Sequence, residues 1–203
     1  MIAPIRIILT RIPDSWAWVK LDAPTRLLPI ALVVGLIEIG HRPPWLGISL
    51  GDRGWQIGFA VVAGPVLFAA AMYVKLLVAR YRGFISVPAG AGDALFQAAF
   101  YVLNGPIEEA LFRGVMQGGL GVAVPWAPVG IIVGTSFYVL YHHLAWPWLE
   151  TAATLLIGLP VALAFALLPG PPSLLGVSIV HVAATCGFLG PGPYLLKKWG
   201  FVP

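Results

Sequence analysis

DALFQAAFYVLNGPIEEALFRGVMQGGL, residues 93–120, is the stretch on which the reading of this chain turns. It is long and predominantly apolar, yet it carries Glu108, Glu109 and Arg113 and is interrupted at Asn104-Gly105-Pro106. The composition around it decides which solvent it meets. Of 203 residues, 59% are hydrophobic and only 10% charged, against about 25% charged in an average soluble domain. Mean hydropathy is +0.90. Too few polar side chains remain to cover a water-facing surface. Soluble globular, disordered and fibrous classes are therefore excluded, and an integral membrane protein remains.

Working outward from 93–120, five further apolar stretches punctuate the chain: Leu27–Gly40, Trp55–Ala79, Trp126–Trp146, Thr151–Leu168 and Pro172–Leu189. Pro and Gly clusters at Pro43-Pro44, Pro88-Ala89-Gly90, Pro147 and Pro169-Gly170-Pro171-Pro172 mark the turns between them. At about 20 residues per span, the expected fold is an all-α polytopic transmembrane helix bundle of about six spans. Residues 1–26 mix Arg6, Arg11, Lys20 and Arg26 with Ile and Trp. They are too charged for a signal-peptide core and fit an interfacial N-terminal segment. Residues 27–92 then hold two accessory spans and their loops, 93–189 a transmembrane core, and 190–203 a C-terminal tail.

Basic residues between the stretches set topology. Six spans collect Arg6, Arg11, Lys20, Arg26, Arg80, Arg82, Lys197 and Lys198 on one side and only Arg42 and Arg53 on the other. This favours a cytoplasmic N-terminus in a plasma or bacterial inner membrane. If Leu27–Gly40 is only re-entrant, everything after it inverts. The net charge of +4 is scattered, so it points to anionic lipid and not to nucleic acid. The one cysteine, Cys186, excludes a disulfide framework and reads as small apolar filler.

Ionisable groups inside spans are costly and mark functional sites. Glu109 and Arg113, four apart, can pair on a helix and leave Glu108 over. Two adjacent carboxylates cannot both be ionised cheaply in a low dielectric. That suits one of them to general acid–base work. Two more places qualify: Tyr138-Val-Leu-Tyr141-His142-His143, and His181 with Thr185 one turn on. Tandem histidines point about 100° apart on a helix, so one of His142 and His143 faces any common site. An ion pair locking two helices, or histidines idle at the headgroup boundary, are the structural readings of the same residues. Glu38, His41 and Lys75 lie near span ends and can snorkel. Asp93 and Glu150 look like helix-start residues.

These residues resemble the CPBP family, the Abi or CAAX protease-like glutamic intramembrane proteases related to the Ras-converting CAAX endopeptidase. Glu108, Glu109 and Arg113 match its EExxxR motif. Tyr138 and His142 fit FxxxH with Tyr for Phe; taking His143 instead would put Val139 at the aromatic position. His181 matches the histidine of HxxxN or HxxxD, but Thr185 stands where Asn or Asp is expected, one hydroxyl in place of an amide. The resemblance implies an endopeptidase without a metal cofactor, in which Glu108 activates water, His142 helps hold it and His181, with Thr185, stabilises the oxyanion. Glu109, Arg113 and Tyr138 support them. It implies a membrane-anchored protein or peptide substrate, with a C-terminal CAAX-like or sorting signal as one candidate. Two other readings use the same side chains: zinc held by one Glu and two His with a place for water, and a non-catalytic binding, immunity or transport protein.

Overall fold

The six apolar stretches become helices in the computed structural model of the chain, which describes residues 23–40, 42–123 and 127–202. Helix α1, Leu27–Ile39, is entered through a 3-10 turn at Ala23–Arg26. Helix α2 is Arg53–Arg82, and α3 is Ala91–Glu109. The chain runs on from α3 into a π-helical segment, Ala110–Gly118, and a last turn, Gly119–Ala123. Helix α4 is Ala127–His143; α5, Trp148–Ala153, leads through Thr154 into α6, Leu155–Leu167. Helices α7, Leu175–Phe188, and α8, Pro191–Lys198, complete the bundle. Among the described residues there is no strand, only an antiparallel bridge between Ile48 and Ser173. The chain is an all-α membrane bundle.

Local chemistry starts these helices. Asp52 precedes α2, and its Oδ1 accepts the N–H groups of Gly54 at 3.0 Å and Trp55 at 3.3 Å, two donors that a helix leaves unpaired. Asp93 lies in the first turn of α3, where Oδ2 accepts the N–H of Ala89 at 2.8 Å. Glu150 lies in the first turn of α5. Both carboxylates stand where the helix dipole favours them.

The bundle is polar inside and apolar outside. Leu28, Val61, Val62, Leu95 and Leu103 are each more than half exposed, whereas Gln97, Glu108, Glu109, Arg113 and His181 are buried. In water this arrangement would be unstable; in lipid it is the required one. Helices α2 and α7 form the spine. Their contact is built from small and β-branched residues, Ala60, Ala71, Val177, Val180 and Ala184. Such residues let helices approach closely where packing, not water exclusion, drives association. Among the described residues three segments are long and apolar enough to cross a membrane: Arg53–Arg82, Trp148–Leu167 and Leu175–Lys198. Helix α1, with 13 residues, rises roughly 20 Å at ~1.5 Å per residue, less than a hydrocarbon core of ~30 Å.

Two expectations are corrected. Arg26, counted from sequence among the cations that set topology, is buried at 7% exposure. Lys75, expected to snorkel outward, is half-buried with its ammonium 4.7 Å from the ring centre of Phe188; a buried aromatic face gives the cation a partner inside. Glu38 is exposed. Of the interfacial segment expected at 1–26, residues 1–22 lie outside the described residues, as does His41.

Candidate active site

Helix α3 brings three polar groups to the bundle interior: Asn104 and Glu108, one turn apart, and Glu109 beside them. All three are buried. Gly105 lets the opposing helix in, because a Cβ there would lie 2.7 Å from Cγ2 of Val182. Helix α7 therefore packs directly against the glutamates and delivers His181. The π-helical segment follows at once, with the N–H of Gly119 bonded back to the carbonyl of Gly114. The wider turns carry Arg113, fully buried, back towards Glu109. Such segments recur at functional sites because they aim side chains off the regular α-helical face.

The two glutamates have different partners. Glu109 is fully engaged: Oε2 accepts from Nε of Arg113 at 3.2 Å, and Oε1 is 2.5 Å from Nδ1 of His181. Arg113 also donates from Nη1 to Oγ1 of Thr135 at 3.4 Å, and its guanidinium lies 5.3 Å from the ring centre of Tyr138. Glu108 is engaged on one oxygen only. Its Oε1 is 2.6 Å from Nη1 of Arg26 and accepts from Nδ2 of Asn104 at 3.1 Å. Its Oε2 is buried without a hydrogen-bond partner, 3.4 Å from Nε2 of His181 and 3.7 Å from Nε2 of His142. A buried carboxylate oxygen left unpaired is expensive.

The histidines are separated by their surroundings. His142 donates from Nδ1 to the carbonyl of Tyr138 at 2.8 Å. A carbonyl can only accept, so this bond puts the proton on Nδ1 and leaves the Nε2 lone pair towards Glu108. Tyr138, Tyr141 and Trp146 surround its ring at 4.5–5.6 Å between centres. His143 turns elsewhere: it stacks on Trp148 at 3.4 Å, with Nδ1 3.4 Å from Oγ1 of Thr151. Tyr138 is the wall shared by both site histidines, lying edge-on to His181 at 5.7 Å. Gly158 of α6 gives it room, since a Cβ there would stand 2.8 Å from its ring.

Glu108, His142, His181 and Thr185 all line one cavity of about 770 Å³. Arg26 and Asn104 line it too, and sequence reasoning assigned neither to the site. Asn104 had a signal, an amide one turn before Glu108 inside an apolar stretch. Arg26 had none beyond its position at a span border.

Residues 90–186 match the family model described as type II CAAX prenyl endopeptidase Rce1-like. Over this segment the chain is similar to the CAAX protease-like family. The matched segment contains Glu108, Glu109, Arg113, Tyr138, His142, His181 and Thr185 and leaves Arg26 outside. The matched segment spans a little under half of the chain and holds every motif read from the sequence. Mouse claudin-23 is 27% identical to the chain over 127 residues, 57% of this chain and 40% of claudin-23. The chain thus spans well under half of that relative's length, and at this identity the likeness carries no functional assignment. No solved structure matches.

Proposed function

We propose that the chain is a glutamic intramembrane endopeptidase that hydrolyses a peptide bond of a membrane-anchored protein, with Glu108 as general base. The carrying observation is Oε2 of Glu108: a buried acceptor without a partner, beside two imidazole Nε2 atoms, on a cavity large enough for a peptide. A water between Oε2 and Nε2 of His142 donates one proton to each, which aims its lone pair into the cavity. Glu108 removes one proton as the water oxygen attacks the peptide carbonyl carbon. His181, as an imidazolium that donates Nδ1–H to Glu109, presents Nε2–H to the developing oxyanion, and the Thr185 hydroxyl supplies a second donor. Collapse breaks the C–N bond, and Glu108 returns its proton to the leaving amine. Glu109 and Arg113 orient His181 and the π-helical turn.

The substrate proposed is a membrane protein with a C-terminal CAAX-like or sorting signal, in a plasma or bacterial inner membrane with the N-terminus cytoplasmic. The deciding assay uses the full chain in liposomes, with an internally quenched farnesylated peptide ending in a CAAX sequence as probe. It is paired with mass spectrometry of new peptide termini in native membranes. Products made by wild type and missing with E108Q support the reading. Identical products from the two proteins would move the site to the binding or transport alternative.

Two further results are expected from the same assay. H142A should lose about 10²-fold or more in kcat, the usual range for a group that handles a reacting proton, while H143A stays near wild type. Equal losses from both would place the catalytic histidine wrongly. For the zinc alternative, among the described residues no group of three His, Cys, Asp or Glu is arranged to hold a metal ion. A strong chelator should leave the rate unchanged; loss with chelator and recovery on adding zinc would replace the glutamic mechanism.

A further inference from the structure

Arg26 lies outside the family match and outside every motif, yet its guanidinium is buried against the proposed base. It comes from the 3-10 turn before α1, remote in sequence from Glu108. Its Nη1 lies 2.6 Å from Oε1 of Glu108 and donates to the Tyr141 hydroxyl at 2.8 Å. The guanidinium carbon stands 5.6 Å from the centre of the Tyr141 ring. Residues of the same segment, Thr25, Leu28, Pro29 and Leu32, line the cavity with it.

The terminal torsion of a glutamate is broad and roughly two-fold, so an unanchored carboxylate offers either oxygen to a neighbour. A charge-assisted bond on one oxygen, supported by the amide of Asn104, removes that freedom. We propose that Arg26 is a positioning residue: anchored to Tyr141, it holds Oε1 of Glu108 so that Oε2 alone meets the water shared with His142. This rests on Glu108 being the general base. Arginine suits the task because Nη1 can donate one hydrogen to the carboxylate and the other to the phenol, held in the fixed plane of a group that keeps its charge when buried. A residue that merely tied α1 to the bundle would affect folding or substrate entry and leave the proton-transfer step alone.

The test uses the liposome assay with the farnesylated CAAX peptide, comparing wild type, E108Q, R26A, R26K and Y141F. R26A is expected to lose about 10²-fold in kcat with KM within about threefold, the cost of a base displaced by about 1 Å. Guanidinium chloride at tens of millimolar should restore part of the R26A rate and none in wild type, with urea as control. R26K should fall about tenfold, and Y141F less, because charge remains but the fork or its anchor is lost. If R26A does not fold, R26K alone decides: a wild-type kcat there overturns the proposal. A rate for R26A at or above wild type, a rise in KM alone, or an R26A rate indifferent to guanidinium likewise overturns it. E108Q at the wild-type rate would sink the general-base reading itself. An inactive E108Q beside a fully active R26A would sink only the role of Arg26.

Discussion

Glu108→Gln is expected to reduce peptide hydrolysis about 10³- to 10⁴-fold while leaving the bundle folded, the upper range for removing a general base. The substitution preserves shape. The amide oxygen of Gln can still accept from Arg26 and Asn104, which now serve Oε1 of Glu108. What disappears is the proton acceptor facing Nε2 of His142 and His181. An amide cannot take the proton of an attacking water, so kcat should fall with little change in KM. Thermal unfolding in detergent should match wild type within a few degrees. Retained activity would mean that the water loses its proton elsewhere. Destabilisation as large as the activity loss would mean that Glu108 is a structural ion-pair member.

Arg113→Met is expected to destabilise the protein severely, by about 3–5 kcal/mol if the pair behaves like other buried pairs broken from one side. Arg113 and Glu109 are both fully buried. Removing the guanidinium leaves the Glu109 carboxylate in the interior with His181 as its remaining partner. It also takes a donor from Thr135 and a cation from the face of Tyr138. The combination of Glu109→Gln with Arg113→Met should recover part of the loss, because no orphaned charge remains. Unfolding midpoints of the two single variants and the double form a cycle that isolates the pair. A single Arg113→Met variant as stable as wild type would show that the pair contributes nothing net. Recovery of stability without activity in the double variant would show that Glu109 also orients His181.

The membrane class and the helices were legible because they follow from bulk solvent preference. A chain with so few charges has no aqueous fold, and its apolar stretches must satisfy their backbone internally. The first apolar stretch, Leu27–Gly40, thus became α1 at Leu27–Ile39. The glutamates, Arg113 and His181 were legible for a related reason: an ionisable group in an apolar run is expensive, so it stands out without any knowledge of its neighbours. Their spacing also carried the family resemblance.

The remaining features depend on what stands opposite each residue. His142 and His143 are equivalent by composition and differ only in direction; one meets Glu108, the other Trp148. The π-helical turns at Ala110–Gly118 shift hydrogen bonds by one residue, a small local change with no distinct residue pattern. Arg26 looked like an ordinary flanking cation because topology reasoning weighs charge and position along the chain, not partners across the bundle. The sequence by itself determined the solvent, the helices and which costly groups the interior must hold, since these follow from the transfer preferences of each residue. Only the tertiary structure decided which oxygen of Glu108 is occupied and which is open, because that is set by groups from four separate segments, at Arg26, Asn104, His142 and His181, meeting within 3.7 Å of its carboxylate.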